Sequence, residues 1–73
     1  MECLKQHLQG IINLAKEDME KENLSEDSPV LQNLKKDAIH ELKILNQKYK
    51  CGVTDLKITE MVDKSFAHQL GVD

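Results

Sequence analysis

The segment PVLQNLKKDAIHELKILNQKY, residues 29–49, limits what this chain can fold into. Its apolar residues recur at steps of three and four, the period that aligns side chains along one face of an α-helix. Ser28 and Pro29 before it are typical of a helix start, because serine caps free amides and proline is accepted at the first helical position. The pattern predicts a helix over residues 29–51, ended by Gly52. Its stripe comprises Leu31, Leu34, Ala38, Leu42, Leu45 and Tyr49.

Two further segments show helical periodicity. A stripe of the same period predicts a first helix over about residues 2–22. A weaker stripe predicts a short third helix over about residues 54–70, with Thr54 as its cap. Residues 53–58 are also compatible with an extended piece, in which case this helix would begin near Thr59. The sequence therefore predicts an all-α fold, an antiparallel helical hairpin with a short third helix.

A chain of this length has only a small core with which to stabilise a single hairpin. Two long helices joined by about six residues run antiparallel. The chain has 73 residues, enough for one small domain (residues 1–73) with a thin core. We therefore expect the hairpin to dimerise into a helical bundle, so that a second copy covers apolar residues the first leaves exposed. The predicted homodimer interface is Leu31, Leu34, Leu42, Ile44, Leu45 and Tyr49.

Composition indicates a folded protein and narrows its location and partners. Apolar residues make up 40% and charged residues 32%, and no apolar run approaches the ~20 residues that span a bilayer, so no membrane partner is expected. Two cysteines without a secretion signal indicate free thiols and a cytoplasmic location. All 10 basic residues are lysine. Because arginine is the residue favoured for phosphate and guanine recognition, its absence argues against a nucleic-acid partner without excluding one.

Cys3, His7 and Cys51 are the residues that most suggest a chemical site. Cys3 and His7 share a helix face, and the hairpin brings Cys51 within about one turn of Cys3. A zinc site and a Cys3–Cys51 redox pair are both alternatives on this geometry. A zinc site needs a fourth ligand that the sequence does not supply, and unpaired cysteine packs as a small apolar residue. We therefore predict packing, with no metal and no cofactor.

The distribution of motifs favours a binding protein over an enzyme. The sequence contains no nucleophile motif and no nucleotide-binding loop, so we predict no catalytic residues. Amphipathic helices are sufficient for binding other helices. The leading prediction is a small protein–protein interaction module, acting as an adaptor, inhibitor or assembly factor, whose partner the sequence does not name.

Three alternatives rest on resemblance or size. DAIHELKILNQKYKCGVTDLKITEMVDKSF resembles the helices of ribbon-helix-helix DNA-binding regulators, which implies that residues 30–34 form the DNA-reading strand. That segment has no basic residue and follows a helix start at Ser28 and Pro29. IHELKILNQKY resembles the motif helix of short helical-hairpin phosphatases of sporulating bacteria, but Ile39 and Lys43 replace its serine and aspartate. A bacteriocin immunity protein is a further alternative from size and helicity alone.

Overall fold

The computed structural model describes residues 2–25 and 27–72, which form three α-helices. Helix α1 spans Glu2–Glu22, α2 spans Pro29–Tyr49 and α3 spans Asp55–Leu70. Helix makes up 83% of the described residues and none of them lies in a strand, which confirms the all-α prediction. The bounds of α1 agree with the prediction, and α2 ends two residues earlier than predicted. Helix α3 begins before Thr59, so the extended alternative for residues 53–58 was wrong.

Local hydrogen bonds fix where the helices begin and end. The Ser28 hydroxyl accepts the Val30 N–H at 3.3 Å, and the Thr54 hydroxyl accepts the Lys57 N–H at 3.2 Å. Both caps were predicted. The end of α2 was not: Lys50 takes the left-handed conformation at φ 52° directly after the helix, and Gly52, two residues further on, also has a positive φ of 74°. In that conformation the Lys50 amide bonds the carbonyl of Asn46, which ends the helix before Gly52 is reached.

The three helices form an elongated bundle of 37 × 18 × 17 Å. Helices α1 and α2 run antiparallel, because Cys3 at the start of α1 is bonded to Cys51 just after α2. Helix α3 returns alongside α2, and the Lys35 ammonium meets the Asp63 carboxylate at 3.0 Å. The end of α3 lies beside the middle of α1, where the amides of Gln9 and Gln69 exchange two hydrogen bonds of 3.1 and 3.2 Å.

The core is built from the predicted stripes together with residues at the end of α3. Phe66, the only phenylalanine, is fully buried and is among the largest core side chains. Val72 is also fully buried, and its N–H bonds the carbonyl of Phe66 at 3.1 Å, so the chain folds back after α3. Periodicity within α3 does not reveal this last contact. The buried apolar residues are Leu4, Leu8, Ile12, Ala15, Leu31, Ala38, Leu42, Ile58, Val62, Phe66, Leu70 and Val72.

Candidate functional site

The predicted interface residues divide between core and surface. Leu31 and Leu42 have no exposed surface in the single chain, so packing among the three helices already covers the part of the α2 stripe that the interface prediction assigns to a second copy. These two leucines are core residues. Leu34 and Leu45 are half-buried, whereas Ile44 is 52% exposed. The predicted interface residues with exposed surface in the single chain are Leu34, Ile44, Leu45 and Tyr49, and the interface itself stays a prediction.

A groove with an apolar floor and an acidic rim lies between α1 and α2, on a side that α3 does not cover. We call it the acidic groove. It has a volume of about 290 Å³. Asp18 of α1 and Asp37 and Glu41 of α2 are exposed along it, and its lining includes no basic residue. The full lining is Ile11, Leu14, Ala15, Asp18, Leu34, Asp37, Ala38 and Glu41.

Exposed apolar side chains accompany this groove. Leu14, in its lining, is 63% exposed, a large fraction for a leucine. Val30 is 43% exposed and precedes Leu34 by four residues, and Ile44 is 52% exposed and follows Glu41 by three. Both therefore continue the same side of α2. Sequence analysis missed Leu14 because it lies off the core stripe of α1. Its spacing of three from Ile11 and four from Asp18 was the available signal.

The two cysteines are joined, which corrects the prediction that they only pack. Cys3 and Cys51 form a disulfide with their Cα atoms 6.0 Å apart, within the usual range for such bonds. The predicted proximity was right, and the two cysteines are bonded to each other, as in the Cys3–Cys51 alternative. Periodicity could not choose between packing and bonding, because both put the same residues side by side. Disulfide sulfurs are not thiolates, so this pair is not available as zinc ligands in this state.

His7 is near the disulfide but makes a different contact from the one considered. Its ring stacks on the ring of Tyr49, with centroids 6.3 Å apart and planes inclined by 18°. The Lys48 ammonium lies 5.7 Å from the centroid of the same tyrosine ring, a cation–π contact. Tyr49 remains 54% exposed. Among the residues that the structure describes, no cluster of three histidine, cysteine or acidic side chains could hold a metal ion.

A second groove, between α1 and α3, has the opposite charge. We call it the lysine groove. Its rim carries the exposed ammonium groups of Lys5, Lys57 and Lys64, and its lining includes no acid. Leu8 and Met61 supply an apolar floor, and the volume is about 280 Å³. Within residues 2–25 and 27–72 the ion pair found is Lys35–Asp63, so the three lysines of this groove are not engaged in one.

The helical state of residues 30–34 bears on the ribbon-helix-helix alternative. Residues 30–34 lie in α2, so the strand that a ribbon-helix-helix regulator would place in DNA is a helix here. None of the three described helices combines the length and the apolarity that crossing a membrane requires. Comparison of the chain with protein-family models, curated proteins and solved structures found no match.

Proposed function

We propose that this protein is a small protein–protein interaction module, an adaptor, inhibitor or assembly factor, that binds an amphipathic helix in the acidic groove. One observation carries the proposal. Leu14, which is 63% exposed, lies over a half-buried floor that includes Leu34, on a side of the bundle without a third helix. A helix laid between α1 and α2 would bury these side chains, as in four-helix bundles.

The acidic rim of the groove supports a partner with basic side chains. Asp18 stands on one side, and Asp37 and Glu41 stand one helical turn apart on the other. A partner helix with lysine or arginine flanking an apolar stripe would place cations beside these carboxylates. Complementary charge of this kind speeds association and fixes register more than it adds affinity. An acidic partner helix would be repelled.

The nucleic-acid alternative receives no support from this geometry. An acidic rim repels phosphate, and the α2 segment that would have to be a strand is helical. The phosphatase alternative lacks its acid, because Lys43 stands at that position. The homodimer prediction requires a second copy that is complementary to the acidic groove.

The cytoplasmic location remains a prediction that depends on the cysteines. Cytosolic reductants keep thiols reduced, whereas disulfides persist in oxidising compartments. Labelling of free thiols in freshly lysed source cells reads the state of Cys3 and Cys51 directly. Full labelling supports the cytoplasm, and protected cysteines support an oxidising compartment.

A designed peptide tests the proposed function without knowledge of the natural partner. The probe is a helical peptide with leucines at steps of three and four and lysines on both flanks, and its matched control has glutamate in place of each lysine. We expect the lysine peptide to bind and to shift the NMR signals of Leu14 and Leu34, whereas the glutamate peptide should not. Equal binding of the two peptides, or of neither, would contradict the proposal.

Two exposed leucines supply a matched pair of variants. Leu14→Gln removes apolar surface from the groove, and Leu56→Gln removes a leucine that is 70% exposed on α3, outside the groove. Fully burying a leucine contributes about 1.5–3 kcal/mol and Leu14 is already partly buried, so Leu14→Gln should weaken peptide binding about five- to twentyfold. Leu56→Gln should leave it unchanged. An equal loss in both variants would show that the peptide adheres to exposed leucines in general.

A further inference from the structure

The acidic groove and the lysine groove are complementary surfaces of one chain. Both have an apolar floor. Each is rimmed by charges of one sign. The acidic groove presents Asp37 and Glu41 on α2, and the lysine groove presents Lys57 and Lys64 on α3. The part of α3 that lines the lysine groove thus offers two lysines and an apolar Met61 to an acidic groove, although α3 as a whole carries three acids.

We infer that a second copy of this chain occupies the acidic groove, with its own lysine groove facing it in a head-to-tail contact. This inference rests on the proposed function, because it takes the acidic groove as a helix-binding surface. In the contact, the α3 edge of one copy enters the acidic groove of the next, and the α2 edge of that copy enters the lysine groove of the first. Ridges of each helix then fill the groove of the other.

The spacing of the charged residues supports this arrangement. Lys57, Met61 and Lys64 recur at steps of four and three, so they form one stripe with an apolar side chain between two cations. Asp37, Glu41 and Ile44 recur at steps of four and three on α2, with an apolar side chain following two anions. Packing the two stripes together places ammonium groups beside carboxylates and Met61 against the apolar floor.

A symmetric alternative is disfavoured by charge. In a two-fold dimer that paired the acidic groove with itself, Asp18, Asp37 and Glu41 would meet the same carboxylates of the other copy. Like charges brought together across an interface oppose association. A head-to-tail contact avoids this, and it leaves one unpaired groove at each end of the dimer. Further copies can therefore add, giving short open chains rather than a closed pair.

One acid lies close to the lysine stripe and provides a variant whose expected effect is opposite to that of the lysine variants. Glu60 is exposed on α3 next to Met61, between the two lysines. In the head-to-tail contact its carboxylate approaches the acidic rim of the other copy and weakens association. Neutralising it by Glu60→Gln should therefore strengthen self-association, in the direction opposite to neutralising the lysines.

Sedimentation of the full chain at low salt, over a wide range of concentration, tests the inference. We expect the mean mass to rise past that of a dimer with concentration and to fall when salt is added, because exposed charges are screened. The double variant Lys57→Gln with Lys64→Gln should weaken self-association about tenfold, as should Asp37→Asn with Glu41→Gln. A wild-type chain that stays monomeric at every concentration would overturn the inference.

Mixing the two double variants separates a second copy from other occupants. Each variant retains one intact groove, so the equimolar mixture should associate more strongly than either variant alone and stop at a one-to-one complex. Failure of the mixture to associate beyond the separate variants would overturn the head-to-tail contact. A dimer insensitive to Lys57→Gln with Lys64→Gln would also overturn it, in favour of a symmetric contact.

The lysine peptide keeps this test distinct from that of the proposed function. The double lysine variant has an intact acidic groove, so it should bind the peptide as the wild type does. Peptide binding without self-association would overturn the second-copy inference and leave the proposed function standing. Loss of peptide binding in the wild type would remove both. If both hold, the peptide should dissociate the wild-type assembly by competing for the acidic groove.

Discussion

The two ends of the bundle are held together by different means. At one end a covalent bond joins Cys3 to Cys51, and the side chain of Asn46 makes two hydrogen bonds to the backbone of Val53. At the other end the chain turns from α1 to α2 through a short connection. There the Leu24 N–H bonds the carbonyl of Met19 at 3.0 Å, Asn23 is left-handed at φ 53°, and Ser28 caps α2.

The difference shows how unequal these means are in energy. A cross-link removes conformations from the unfolded chain, and in the chain-entropy model its effect grows with the length of the loop it closes. A cap or turn hydrogen bond replaces a bond to water, so its net contribution is about 1 kcal/mol. The end formed by residues far apart in sequence therefore depends mainly on the covalent bond, whereas the other end depends on local hydrogen bonds alone.

Reduction of the disulfide should produce the largest change. The cysteines are 48 residues apart, which corresponds to a stabilisation of about 4 kcal/mol in the chain-entropy model. We expect dithiothreitol, or Cys3→Ser combined with Cys51→Ser, to lower the free energy of unfolding by about that amount, measured by urea titration. For so small a domain this is a large share of its stability.

The single variants and a chelator supply the controls. Cys3→Ser alone should match the double variant under reducing conditions, because either change opens the same loop. Chelator should have no effect on the oxidised protein, since its sulfurs are not metal ligands. If reductant leaves the unfolding midpoint unchanged while all cysteines titrate as free thiols, the pair only packs, as the sequence alone had suggested.

The helices, their caps and the hairpin could be predicted from local periodicity. Features that depend on contacts between residues far apart in sequence could not. Helix α1, the Ser28 cap and the antiparallel hairpin follow from local patterns, and the hairpin placed Cys51 beside Cys3. Spacing does not carry the redox state of the pair, so the bond itself was not predicted. Leu42, which the sequence assigns to a dimer interface, is fully buried in the single chain, because periodicity in α2 gives no measure of how much of its stripe the other two helices cover.

The two grooves could not be predicted from the sequence for a related reason. Along the chain, acids outnumber lysines in residues 1–28, lysines outnumber acids in residues 29–51, and acids outnumber lysines again in residues 52–73. This order does not indicate which helices lie side by side. Packing brings Asp18 together with Asp37, and Lys5 together with Lys57, across long stretches of sequence. Only the arrangement of the three helices converts a mixed charge pattern into two grooves of opposite sign.

The second prediction concerns the hydrogen bonds at the cross-linked end. The Asn46 Nδ2 group donates to the Val53 carbonyl at 2.7 Å, and its Oδ1 accepts the Val53 N–H at 3.0 Å. Asn46→Ala leaves both part-buried backbone groups without this partner, so we expect a loss of about 1–3 kcal/mol in urea titration. Asn46→Asp retains the acceptor and loses the donor, and it should fall between the two.

Combining this variant with reduction tests whether the cross-linked end acts as a unit. Val53 follows Cys51 by two residues, so the disulfide and the Asn46 side chain restrain the same stretch of chain. A double-mutant cycle of Asn46→Ala with Cys3→Ser and Cys51→Ser should give an interaction energy of about 0.5 kcal/mol or more. Strict additivity would show that the two restraints are independent.

The third prediction, with the smallest effect, concerns the turn end. Ser28→Ala removes the hydroxyl that accepts the Val30 N–H, at an expected loss of about 1 kcal/mol in unfolding free energy. Ser28→Asn keeps a capping acceptor without adding charge beside Asp27, so it should retain most of the stability. Hydrogen exchange should quicken at Val30 and Leu31 in the alanine variant before it does elsewhere in α2.

The bundle is 37 Å long and Ser28 is at the end away from the disulfide, so the loss should be the same, within about 0.5 kcal/mol, in oxidised and reduced protein. A loss that grows on reduction would mean that the two ends unfold as one cooperative unit even under native conditions, and the contrast between them would then lie only in the unfolded chain.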